Sequence, residues 1–164
     1  MDERDPRFPG GTWTGFYLQY WLPGRHRTDA ALTWAGGEVS GGGADVVGGY
    51  TMSGTYDVAT GRCEWTKQYA GAHAVVYRGL ADASGVWGVW EIRQLGGVYR
   101  DRRGFHLWPE DRAPSDAEVA HTERAVWELM HAEFGTRTAR AIRATVVVGI
   151  VLALAGLAWW LAGY

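Results

Sequence analysis

Residues 10–21 read GGTWTGFYLQYW, with five aromatic rings in twelve positions. Strand alternation puts Trp13, Tyr17 and Trp21 on one face with Gly15, and Phe16, Leu18 and Tyr20 on the other. The rest of the chain has the same flavour: 10 Trp, 8 Tyr and 24 Gly, but only 5 Pro and 4 Phe. That profile favours short twisted strands joined by tight turns over long helices.

Working outward from this stretch, residues 12–109 break into apolar-aromatic runs about a dozen residues apart. They predict strands near 12–21, 29–35, 38–44, 49–57, 62–69, 73–79, 85–92 and 103–108. Turn chemistry stands between them: GG at 36–37, DVATG at 57–61, AG at 70–71 and DASG at 82–85. No link has room for the crossover helix that a parallel sheet requires. The expected fold is therefore mainly β, an eight-stranded antiparallel up-and-down barrel over 11–109, with residues 1–10 as a flexible lead. Closure hides both sheet edges and leaves an interior that is either filled or holds one small ligand. The glycines at 41–43 and 48–49 lack the Lys-Ser/Thr of a phosphate loop, so they predict a bend or barrel corner, with Asp45 as a turn residue.

Beyond the barrel, residues 110–143 predict an amphipathic connector helix. Ser115 and Glu118 fit a capping box, and Val119, Val126, Met130 and Phe134 recur at helical spacing beside Trp127. From Ala144 to Gly163 runs ATVVVGIVLALAGLAWWLAG, free of charge and long enough as a helix to span roughly 30 Å, the bilayer core. Arg137, Arg140 and Arg143 precede it, and Trp159, Trp160 and Tyr164 mark its far end. These features predict one C-terminal transmembrane tail anchor over 144–163, single-pass, with the barrel in the cytoplasm. Gly149 with Ala153, and Ala158 with Ala162, offer small-xxx-small contacts for a homo-oligomer. MDERDPRFPG has no apolar stretch of the kind a signal peptide needs.

The Gly-x-Trp opening of the first strand, here Gly11-Thr12-Trp13, resembles that of the calycin superfamily of lipocalins, fatty-acid-binding proteins and avidins. The resemblance implies that Trp13 packs across the barrel floor beneath a basic residue of the last strand, for which Arg102 and Arg103 are the candidates. The second lipocalin motif and the avidin tryptophan series are missing. A cytoplasmic barrel tethered to a membrane span also resembles, in architecture, the barrel effectors of bacterial cyclic-oligonucleotide defence, although their spans precede the barrel. That likeness implies a nucleotide-type signal.

Net charge is -2, which provides no general basic field for a DNA or RNA duplex. Cys63 is the one cysteine, so an intrachain disulfide and a thiolate zinc site are excluded. No nucleophile elbow, His-Glu-x-x-His or paired metal-ligand spacing occurs, so the expectation is a non-enzyme with no cofactor and no metal. The densest polar-aromatic patch is CEWTKQYAGAHAVVYRG, 63–79, which contains Lys67, the one lysine among 16 basic residues. Alternation puts Trp65, Lys67 and Tyr69 on one strand face and His73, Val75 and Tyr77 on the next. Facing inward, and joined by His106, they would form a small-molecule site suited to a phosphate or carboxylate with a ring to stack. Lys67→Ala should then abolish anion binding with the fold intact. The alternative is a filled structural barrel, passively tethered, presenting aromatic residues to a protein partner.

Overall fold

In the computed structural model, which describes residues 4–19, 22–93 and 99–131, eight strands follow one another round a closed barrel. They are β1 (Gly11–Leu18), β2 (Arg25–Ala35), β3 (Glu38–Asp45), β4 (Gly49–Tyr56), β5 (Arg62–Tyr69), β6 (Ala74–Asp82), β7 (Gly85–Arg93) and β8 (Tyr99–Pro109). Each pairs antiparallel with its sequence neighbours, and β1 closes the ring on β8 through Trp13↔Pro109 to Tyr17↔Phe105. The expected meander is present strand for strand. Differences lie at strand ends, chiefly β2, where Arg25 to Thr28 extend the pairing with β1. These polar residues read as a loop in the sequence because only alternate side chains need apolar character.

Period-two alternation builds the core. On β5, Cys63, Trp65, Lys67 and Tyr69 are buried while Arg62, Glu64 and Gln68 are exposed. The same rule turns Trp13 and Tyr17, Leu32 and Trp34, Tyr50, Met52 and Tyr56, Val75 and Tyr77, Val86 and Trp90, and Phe105 and Leu107 into one cluster. The β2–β3 turn uses Gly36 and Gly37 at φ 59° and 85°, the pair of positive values that suits a two-residue hairpin in a right-twisted sheet.

The barrel has two unlike ends. The β2–β3, β4–β5 and β6–β7 turns lie at the floor, together with the start of β1. There Phe8, fully buried, sits 5.1 Å from the Trp34 ring and 4.6 Å from that of Tyr56. Trp13 meets Trp34 at 5.5 Å and donates its indole N–H to the Pro9 carbonyl at 2.9 Å. Residues 5–9 thus plug the floor instead of forming a free lead. Each of these aromatic contacts contributes about 0.5–1.5 kcal/mol beyond its buried area.

Trp13 lies at the floor, but the two arginines named for it lie elsewhere. Arg102 and Arg103 pair with Glu91 and Trp90, toward the opposite end of β8 from the Pro109 that faces Trp13. A guanidinium does stand at the floor: Arg7, 5.4 Å from the Phe8 ring centre.

Residues 116–131 form helix α1. Its capping box is as expected: the Ser115 N–H and hydroxyl donate to Glu118 Oε2 at 2.8 and 2.7 Å, and the Glu118 N–H donates to Ser115 Oγ at 3.3 Å. Val119, Thr122 and Val126 are buried. Phe16, Leu18, Gly104 and His106 line one small hollow with Thr122, Glu123 and Val126. That packing accounts for the second aromatic face of the opening stretch: Trp13 and Tyr17 fill the barrel, while Phe16 and Leu18 lie on its outside under α1. Arg25 fixes the arrangement through a fork to both Glu123 oxygens at 2.8 and 2.9 Å. The chain divides into two units, Met1–Trp127 and Glu128–Tyr164, and in the second the described residues 128–131 are helical. No helix among the described residues is long and apolar enough to cross a membrane, and the expected span at 144–163, with Phe134, lies outside them.

Candidate functional site

Opposite the packed floor, the lumen turns polar. Lys67, on the inner face of β5, extends its ammonium to Asp45 Oδ2 at 2.5 Å, with the two side chains 2% and 0% exposed. Asp45 Oδ2 also accepts the Tyr69 hydroxyl at 2.7 Å, and Oδ1 accepts the Val47 N–H at 2.9 Å. A second donor of the ammonium reaches Thr28 Oγ1 at 3.4 Å; Thr28 in turn bonds the Tyr50 hydroxyl at 2.8 Å, which donates to the Asp29 carbonyl at 2.8 Å. A relay of this kind polarises each link in a low-dielectric interior.

Four tyrosine rings surround the ammonium: Tyr50 at 3.7 Å, Tyr69 at 5.0 Å, Tyr17 at 5.5 Å and Tyr77 at 6.0 Å from Nζ to ring centre. Their negative faces favour the cation. Gly43 makes room for this cluster: a Cβ there would come within 1.9 Å of the Asp29 carbonyl oxygen and 2.9 Å of the Tyr50 hydroxyl.

Electrostatics follow from this enclosure. Burial raises the Asp45 carboxyl, but hydrogen bonds from Lys67 and Tyr69 outweigh it and leave the group below its ordinary value. Burial pulls Lys67 below its ordinary value despite Asp45. Tyr17 and Tyr50 are pushed up to about 12, first by burial and also by the Asp45 charge. Tyr69 and Tyr77 are raised too, by burial before anything else.

Above the ion pair lies a cavity of about 420 Å³ whose described lining includes Tyr17, Tyr69, His73, Tyr77, Trp90 and Asp101. This is within the range of small-ligand pockets. Tyr17 is 4% exposed, and its hydroxyl is buried without a hydrogen-bond partner. The Trp90 indole donates instead to the Leu18 carbonyl at 3.0 Å. Tyr77 stacks on Trp65 at 5.5 Å and 11°, so the cavity base rests on the packed floor.

Of the residues singled out in the sequence, Trp65, Lys67, Tyr69 and Tyr77 do share the lumen. His73 is exposed at the rim, 5.3 Å from the Tyr69 ring. His106 is placed elsewhere: Phe105 and Leu107 take the inward positions of β8, and His106 sits on the outer wall under α1. There Nε2 meets the Ser84 carbonyl at 2.8 Å, Nδ1 is buried without a partner, and burial lowers the pKa. Cys63 lies toward the floor end of β5, where it pairs with Gly79, and burial raises its thiol to about 12. No group of three metal-ligating side chains occurs among the described residues.

Asp45 was the residue the sequence reading missed. It is a turn residue, exchanging backbone hydrogen bonds with Gly48 at 3.1 and 3.2 Å, but counting in twos from the buried Val39 would have put it inside. Tyr50 and Asp101 were likewise legible only through register.

Fold and site together define a closed eight-stranded antiparallel barrel, consistent with the calycin resemblance, sealed at one end and chambered at the other. Comparison with protein-family models, curated proteins and solved structures returns no match.

Proposed function

We propose that this chain is a binding module in which the barrel mouth holds one small molecule, and that residues 144–163 tether it to a membrane with the barrel on the cytoplasmic side. The observation that carries the binding reading is the chamber of about 420 Å³ walled by the rings of Tyr17, Tyr69, Tyr77 and Trp90. The tether rests on sequence: an uncharged stretch long enough to span, with arginines before it and aromatic residues after it.

A sensor of a cyclic nucleotide signal, as in the defence effectors, is the sharper form of this reading. Its phosphates require cations, and Lys67 is already held by Asp45 and Thr28. The ring-lined chamber therefore supports small-ligand binding more directly than phosphate binding.

A structural barrel with a protein partner is the second reading. It is favoured by the solid floor and by the exposed tip of the β3–β4 hairpin, where Val46 and Val47 are 75% and 48% exposed. Thermal denaturation of the full chain in detergent, against neutral, cationic and anionic small molecules including cyclic dinucleotides, separates the two. A ligand at a hundredfold over its dissociation constant adds about 2.7 kcal/mol and shifts the midpoint. A panel that shifts nothing favours the filled, protein-binding barrel.

A further inference from the structure

The lining of the mouth chamber restricts the charge of what it holds. Tyr17, Tyr69, Tyr77 and Trp90 present electron-rich rings, and Asp101 is the one charged side chain among the described lining residues. Asp101 Oδ1 accepts the Arg102 N–H at 2.8 Å and lies 3.6 Å from Arg103 Nη1, so the carboxylate is fixed in place at the wall. Three of the four rings that surround the Lys67 ammonium also line the chamber, namely Tyr17, Tyr69 and Tyr77. Lys67 and Asp45 cancel one another at its base. An anion entering here would meet aromatic faces and a carboxylate, with the lysine committed to Asp45 and Arg103 turned to Asp101 and the Arg102 carbonyl.

We propose that the mouth chamber takes a protonated amine carrying a flat or apolar body, its N–H donors directed to the Asp101 carboxylate and its charge set against the Tyr and Trp rings. This deepens the small-ligand reading and rests on it. Each element has its chemical counterpart. Asp101 supplies the opposite charge through the carboxylate oxygen not held by Arg102 and Arg103, and ring faces attract a desolvated cation. Val75 and Ile92 complete an apolar wall for the body of the ligand. A cation–ring site of this kind discriminates by charge at equal shape, which gives it a measurable signature.

Titration calorimetry on the full chain in detergent, with phenethylamine, its uncharged carbon isostere and phenylacetate as probes, tests this. The amine should bind about tenfold or more tighter than the neutral isostere, and phenylacetate should not bind. Asp101→Asn should weaken the amine and leave the isostere unchanged, with circular dichroism confirming the fold. Equal binding of amine and isostere, or preference for the acid, overturns the cation assignment while leaving a ligand-binding barrel. If none of the three probes binds but another small molecule shifts the melting midpoint, the amine assignment falls and the chamber reading survives. If no small molecule of any charge binds, both fall.

Discussion

Lys67 Nζ and Asp45 Oδ2 meet at 2.5 Å inside the barrel, the only lysine of the chain against a carboxylate with no solvent exposure. Removing one partner of such a pair leaves a buried charge uncompensated, at about 3–5 kcal/mol. Lys67→Ala is therefore not the silent substitution the sequence implied. Lys67→Met and Asp45→Asn should each lower the urea midpoint strongly, whereas the double variant Lys67→Met with Asp45→Leu should recover most of the loss. A double variant no better than the sum of the singles would mean the two groups are not coupled.

Acid should attack the same pair. The folded Asp45 carboxyl lies below its ordinary 3.8, because hydrogen bonds from Lys67 and Tyr69 outweigh burial. Its stabilisation is complete above that value and drains away as pH falls through the lower folded value. Asp45→Asn should flatten this acid limb in urea titrations run from neutral pH to about 3. An acid limb of unchanged slope in the variant would assign it to other carboxylates.

At the alkaline end the sign reverses. Tyr17 and Tyr50 ionise at about 12 in the fold against 10.0 when free, so the unfolded chain gives up those protons first. Stability is intact below 10.0 and lost as pH rises through about 12. Tyrosinate absorbance should then develop in two stages, exposed rings first and the cage with unfolding. Titration of all 8 tyrosines as one class in a chain that is still folded would contradict the cage.

Helix α1 should yield to small changes on its buried face. Val126→Ala removes about two methylene equivalents, or roughly 1.5 kcal/mol. Glu123→Gln weakens the partly exposed fork to Arg25 by about 0.2–1 kcal/mol. Amide exchange within residues 116–127 should accelerate in both variants while the strands stay protected. Uniform acceleration across the barrel would show instead that helix and barrel unfold as one unit.

How much of this was legible in the sequence varies by feature. Strand number, order and the capping box could be read from local chemistry, because alternation, turn residues and Ser115-x-x-Glu118 are short-range signals. The inward set on β5 could be read once Trp65 was taken as core. What stayed hidden depended on partners distant in sequence. Lys67 reads as free until Asp45, 22 residues earlier, is brought across the lumen. His106 reads as a lumen candidate until the Phe105 and Leu107 positions fix the parity of β8. The floor cation likewise came from Arg7 and not from the last strand, a detail of chain path that three residues of resemblance do not carry.

The most direct test of the chambered-barrel assignment is an indole N–H titration by NMR on the full chain, with tryptophan signals assigned through single Trp→Phe variants and the tightest ligand from the melting panel added stepwise. Trp90 lines the chamber, whereas Trp13 and Trp34 sit in the packed floor and Trp127 is exposed on α1. The expected result is a saturable shift of the Trp90 signal, with Trp13, Trp34 and Trp127 stationary. Saturable movement of Trp127 or the floor signals with Trp90 unmoved would place the binding surface elsewhere and contradict a ligand chamber at the mouth.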